Sequence, residues 1–212
     1  MSGQTLRDAH AAETRARILA VADVLLLSGG YRSMTIARLA REAGISPQTI
    51  YNSVGGKAEV VKAVYDIRLA GDDMPMAMND RPEIRAVLDA PDAMQSLWLY
   101  ARNCRMIYQR VGPLLGVLLD HGPGGDELLE NFTAATDRER RIGNTVVVTN
   151  IEQRFGLPER WTTRRAVDLV WTLTGPEVAD RLVRRAGWSL DTYETWLARA
   201  LQTELAETGP PA

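Results

Sequence analysis

The chain has a single cysteine, Cys104, among 212 residues, which excludes an intramolecular disulfide framework and fits a reducing compartment. Its two histidines, His10 and His121, leave no basis for a histidine-built metal site, and no cofactor is expected. No apolar run approaches the roughly 18 residues of a membrane span. The opening stretch, Met1 to Asp8, is too polar for a secretory leader, so the expectation is a cytoplasmic protein without a membrane partner. Neither sign of charge dominates: 25 Lys and Arg face 27 Asp and Glu, for a net of −2. A polybasic nucleic-acid binder is not indicated by that total. Catalytic signatures are missing too. The sequence contains no Gly-x-Ser-x-Gly, no phosphate loop with its Lys and Ser/Thr, and no His-Glu-x-x-His, so no enzyme is expected.

What the sequence does have is helical periodicity, punctuated by glycine and proline, and the expected fold class is all-α. The strand-like run Thr145-Val-Val-Val-Thr149 sits inside a long helical pattern and is read as helix. A first helix is expected from about Ala11 to Ser28, with Ile18, Ala22, Leu25 and Leu26 as its apolar stripe and Gly29-Gly30 as its stop. Thr35 then caps a short helix with Ile36, Leu39, Ala40 and Ala43 on one side, ended by Gly44. Ser46 and Pro47 start another, about two turns long, up to Ser53. Gly55-Gly56 breaks the chain before a longer helix from Lys57.

Two short helices joined by a tight glycine turn, after a longer packing helix, describe a helix-turn-helix unit. Gln48, Thr49, Tyr51 and Asn52 give the second short helix a polar face suited to base edges and phosphates, with Ile50 as its apolar anchor. Residues 14–69 resemble the DNA-binding domain of the tetracycline-repressor (TetR/AcrR) family of transcription regulators. The resemblance is carried by Thr35-Ile-Ala-Arg-Leu-Ala-Arg-Glu-Ala-Gly-Ile-Ser46, by Gln48-Thr-Ile-Tyr51 and by Gly56-Lys-Ala-Glu59. It implies a homodimer that binds a near-palindromic double-stranded operator, usually as a repressor, and is released by a small-molecule effector. It also implies DNA-contacting roles for Thr35, Ser46, Gln48, Thr49, Tyr51, Asn52 and Lys57, with Thr35 and Lys57 on phosphates. Two departures stand out: Val54 replaces the family's usual aromatic, and Gly56 replaces a frequent capping serine.

The expected domains are a head at 1–56, a linking helix at 57–70 and an effector-binding and dimerisation domain at 71–207. The tail at 208–212 cannot continue a helix and is expected to be disordered. Asp72 to Pro91 reads as a helix end and an irregular connection, followed by helices at Ala93–Arg110, Leu114–Leu119 and Asp126–Phe155. Trp98, Tyr100, Met106, Tyr108, Leu118, Phe132, Val148, Ile151 and Trp171 are candidate linings of an effector pocket, with Asn144, Asn150 and Thr174 as polar contacts. Each competes with a plain core reading. Cys104 reads as a buried small hydrophobe, His121 as a loop residue, and Arg138-Glu-Arg-Arg141 as a solvated helix face. Toward the end, Thr162 or Thr163 caps one helix, Gly175-Pro176 starts another through Leu182, and Ser189 caps the last, with Trp188 stapled onto Tyr193. Val167, Val170, Trp171, Leu197 and Leu201 are expected to divide between core and a dimer interface. The alternatives are a helical small-molecule-binding protein with a degenerate head, or a helical enzyme.

The net charge conceals an asymmetry. Residues 1–70 hold nine Lys and Arg against six Asp and Glu, and the remainder hold sixteen against twenty-one. A modestly basic head on an acidic body suits the approach of nucleic acid to the head.

Overall fold

A computed structural model describes residues 3–74, 76–119 and 127–206. His121, the Gly122–Gly125 loop and the tail at 208–212 lie outside the described residues. Among the described residues the chain is helical with no strand. Thr145–Thr149 lies within a helix, as its surroundings indicate.

The chain forms two compact units. The first comprises Met1–Asp73 and Pro113–Thr133, and the second Met74–Gly112 and Ala134–Ala212. The punctuation-based boundary at 70/71 does not separate out the segment from Pro113 to Thr133, which groups with the N-terminal helices.

In the first unit, α1 spans Gly3–Ser33, well before the expected start at Ala11. Gly30 interrupts it with φ 77°, a left-handed conformation that glycine adopts without a Cβ penalty. Its stripe is buried as expected: Ile18, Ala22 and Leu26 are fully covered and Leu25 nearly so. Each such aliphatic side chain contributes roughly 1.5–3 kcal/mol on leaving water. They pack with Leu39, Ala40 and Ala43 of α2 (Ile36–Ala43), Ile50 of α3 (Pro47–Ser53), and Val60, Val61 and Val64 of α4 (Lys57–Ala70). Arg68 of α4 holds Asp23 of α1 through two hydrogen bonds, Nε to Oδ1 at 2.6 Å and Nη2 to Oδ2 at 2.7 Å.

In the second unit, the segment expected to be irregular contains a 3-10 turn at Met78–Asp80 and the helix α5, Pro82–Leu88. Pro82 pre-sets the first turn, and Ile84 and Val87 are buried one turn apart. The break expected at Gly112-Pro113 does not occur either: α6 runs unbroken from Ala93 to Leu119, its residues from Pro113 on counted with the first unit, as are residues 127–133 of the helix that follows. Gly112 eases this. A proline clashes with the Cβ of the residue before it, and Gly112 has none. One backbone bond is lost, and the helix continues. Next come α7 (Glu127–Phe155), α8 (Thr163–Leu173), α9 (Pro176–Ala179) and α10 (Leu190–Leu205). Thr162 caps α8 and Ser189 caps α10. The helix expected through Leu182 is in part a π-helical turn, Asp180–Arg185, which follows α9 directly. Trp188 packs edge-on against Trp196, with centroids 6.1 Å apart, rather than chiefly serving Tyr193. The core here gathers Leu97, Tyr100, Val148, Ile151, Val170, Tyr193, Leu197 and Leu201 among others. All five tryptophans of the chain (98, 161, 171, 188 and 196) fall in this unit.

Candidate functional site

The short helix α3 is too brief to persist alone and is fixed at both ends. The Ser46 Oγ accepts the Thr49 N–H at 3.1 Å and meets the Thr49 Oγ1 at 2.8 Å. Ile50 anchors the inner face, fully buried. Upstream, Gly44 turns the chain at φ 65°, and α2 is capped by Thr35, whose Oγ1 accepts the Arg38 N–H at 3.1 Å. The two helices are thus rigidly joined through Ile45 alone.

The outer face of α3 presents Gln48, Tyr51 and Asn52 to solvent. Tyr51 is 53% exposed, a large value for an aromatic side chain. Gln48 and Asn52, one turn apart, bond each other, Nε2 to Oδ1 at 2.9 Å. That bond leaves the Gln48 amide oxygen and the Asn52 amide N–H groups directed to other partners or solvent. Tyr51 stands beside the start of α4. A Cβ placed on Gly56 would lie 3.8 Å from its ring and 3.2 Å from the Glu59 Oε2. No side chain caps α4, whose first residue is Lys57. The half-buried Lys57 directs its Nζ over the Tyr31 ring, 3.8 Å from the centroid. The structure therefore brings Gln48, Tyr51 and Asn52 together on one exposed face, with Lys57 at the neighbouring helix start. Thr35, Ser46 and Thr49 act locally as caps. Tyr31 was not singled out by the sequence, because an aromatic after a glycine stop reads as core.

The candidate pocket residues are dispersed. Leu118 and Phe132 belong to the first unit, where Phe132 packs edge-on against Tyr65 at 5.2 Å. Tyr108, Val148 and Ile151 are buried core of the second unit, and Met106 is half-buried. Trp98 is 38% exposed, with the Arg102 guanidinium 5.7 Å from its ring, so it is a surface residue. Asn144 belongs to a buried polar cluster. It accepts a hydrogen bond from the Tyr100 hydroxyl and donates to the Thr174 Oγ1 at 3.4 Å. Arg140 reaches the same Thr174 oxygen at 3.4 Å and the Trp171 carbonyl at 2.6 Å. The Trp171 indole N–H donates to Asp137 at 3.0 Å. Arg140 and Arg141 are therefore not a solvated face, since Arg141 pairs with Asp168 and both guanidinium groups lie over the Trp171 ring. Only Arg138 and Glu139 of that run are exposed. Burial raises the Tyr100 hydroxyl well above its ordinary value, and the neighbouring Cys104 adds to this. Burial likewise pushes the Cys104 thiol up to about 12.

The candidate interface residues are also mostly internal. Val167, Val170, Leu197 and Leu201 are buried within one chain and cannot meet a partner, while Trp171 is half-buried and tied to α7. The opposite faces of α8 and α10 instead border an open groove of about 780 Å³, lined by Leu169, Leu173, Trp188, Trp196, Arg199 and Ala200 among others. Among the described residues no cluster of three or more His, Cys, Asp or Glu could hold a metal ion. No helix among them is long and apolar enough to cross a membrane.

Comparison with known proteins matches this head. Residues 18–64 fit the family described as bacterial regulatory proteins, tetR family. The uncharacterized HTH-type transcriptional regulator YdeS of Bacillus subtilis (strain 168) is 26% identical over 179 residues, covering 81% of this chain and 84% of that protein. In fold, the chain is similar to the transcriptional regulator FadR from Bacillus subtilis in complex with stearoyl-CoA. That likeness has a TM-score of 0.66 and 14% identity, and covers 88% of this chain and 96% of FadR. It is similar also to SmeT in its triclosan complex, with a TM-score of 0.67 and 13% identity over 94% and 99% of the two chains. With their helix-turn-helix geometry, residues 18–64 form a DNA-binding domain of the tetR family type, on a chain whose whole fold is similar to that of transcriptional regulators.

Proposed function

We propose that the protein is a dimeric repressor that binds a near-palindromic operator through α3 and leaves it when a small molecule occupies the second unit. The observation that carries the DNA-binding part is the exposed face of Gln48, Tyr51 and Asn52, beside the uncapped start of α4 at Lys57. Side-chain amides suit adenine edges, and an open helix N-terminus with a lysine suits a phosphate. Thr35, Ser46 and Thr49 hold this face in register and lie at its border. In this reading α4 links the head, 1–56, to the effector and dimerisation region, 71–207.

For the dimer, the structure favours residues other than those the sequence suggests. Leu169, Leu173, Trp188 and Trp196 offer the apolar surface on α8 and α10 that the buried Val167, Val170, Leu197 and Leu201 do not. The effector would be largely apolar with a hydrogen-bonding end, matching an apolar core that contains one polar cluster around Asn144. FadR and SmeT are in complex with stearoyl-CoA and triclosan.

The test is fluorescence anisotropy on duplex DNA from upstream of the coding sequence, over a salt series. The expected result is saturable binding that weakens steeply as salt rises, with the slope set by the phosphates neutralised. Absence of binding at low salt overturns the proposal and favours a binding protein with a silent head.

A further inference from the structure

Lys57 sits at the first position of α4, on a flexible four-carbon stem that in water samples many rotamers. In the structure it is half-buried, and its ammonium lies 3.8 Å from the centre of the Tyr31 ring. That ring is itself almost wholly buried and follows the Gly30 break in α1, so its face is presented by a fixed piece of backbone. Partial desolvation strengthens the attraction between an ammonium and a ring face. The Glu59 carboxylate lies against Gly56 on the same turn.

We propose that Tyr31 is a positioning residue for DNA binding: its ring holds the Lys57 ammonium at the start of α4, where the lysine and the helix N-terminus act on one phosphate. A neutral aromatic group buried in the head thereby sets part of the salt dependence of binding without touching DNA. The proposal rests on the DNA-binding reading above, and it assigns to Tyr31 a role that core packing does not require.

The test uses the full-length protein with phenylalanine, then mono-, tri- and pentafluorinated phenylalanine, at position 31. Fluorination drains the ring face of negative potential while nearly preserving shape. Each variant is made with Lys57 intact and with Lys57→Met, and is titrated against a labelled mixed-sequence duplex across a salt series. With Lys57 intact, Tyr31→Phe should bind like the parent. The fluorinated series should lose affinity stepwise, roughly three- to tenfold by the last member. The salt slope should move toward that of Lys57→Met, by up to about 0.9 per phosphate lost. In the Lys57→Met background the series should be flat. A flat series with Lys57 intact, or an equal loss in both backgrounds, overturns the positioning role and leaves DNA binding standing. No binding by the parent protein at low salt instead removes the DNA-binding reading, and this inference with it.

Discussion

Cys104 and Asp180 show how residue environment translates into measurable chemistry. The Cys104 thiol, raised to about 12 by burial, is almost wholly protonated at neutral pH, and the thiolate is the reactive form. Alkylation by iodoacetamide at pH 8 should therefore be at least tenfold slower in the native protein than in denaturant, as read by mass spectrometry. Asp180 is the reverse case. Hydrogen bonds from Arg184, at 2.6 and 3.1 Å, and from Arg185, at 2.9 Å, hold its carboxyl below the ordinary value of 3.8 despite burial. A carboxylate with a lowered pKa stabilises the fold above its unfolded-state pKa, and that contribution is lost as pH falls through the folded value. Asp180→Asn should cost about 2 kcal/mol at pH 7. The gap from the parent should narrow as pH is lowered below about 4, measured by urea unfolding. Gly55 has φ 121°, and a Cβ there would lie 2.8 Å from the Glu59 Cβ. Gly55→Ala should lower the melting temperature by several degrees, since a strained residue costs on the order of 1–3 kcal/mol.

At the scale of the element, capping decides how much of the chain is legible from sequence. The turn between α2 and α3 could be read almost residue by residue, because Thr35, Gly44, Ser46 and Pro47 each have a local role that needs no tertiary partner. Ser46→Ala should cost about 1 kcal/mol and loosen α3, seen as faster amide exchange at Thr49 and Ile50. The same local logic misplaced Pro113, where the missing Cβ of Gly112 removes one of the steric reasons for a break. It also passed over α5, whose seven residues sit among Asp, Met and Pro. The π-helical turn at Asp180–Arg185 has no sequence signal of its own. The Asp180 carboxylate, shared by Arg184 and Arg185 four and five residues along the same turn, ties it together; those contacts are local, and what the sequence does not show is the burial of Asp180.

At the scale of the whole molecule, the exposed polar face of α3 was legible in the sequence, whereas which apolar residues of the second unit are buried was not. A recognition helix keeps polar groups on its exposed side, so its function is written in residue type. Core and interface both select apolar residues. Periodicity places Leu169, Val170, Leu197 and Leu201 on apolar stripes without saying which face turns inward. The structure distinguishes them, and mutation should follow. If the proposed dimer surface is right, Arg199→Glu, on the same groove, should shift the sedimentation of the protein toward the monomer and weaken DNA binding while leaving unfolding nearly unchanged. Leu201→Ala, in a fully buried site, should instead cost about 2–5 kcal/mol of stability.

The placement of the tryptophans gives the molecule a built-in optical asymmetry. All five lie in the second unit, whereas the N-terminal helices that hold the exposed face of α3 have tyrosines, Tyr31, Tyr51 and Tyr65, and no tryptophan. Selective excitation of indole therefore reports on the second unit and ignores the head. A change in that emission when duplex DNA is added is therefore a label-free signal from the second unit.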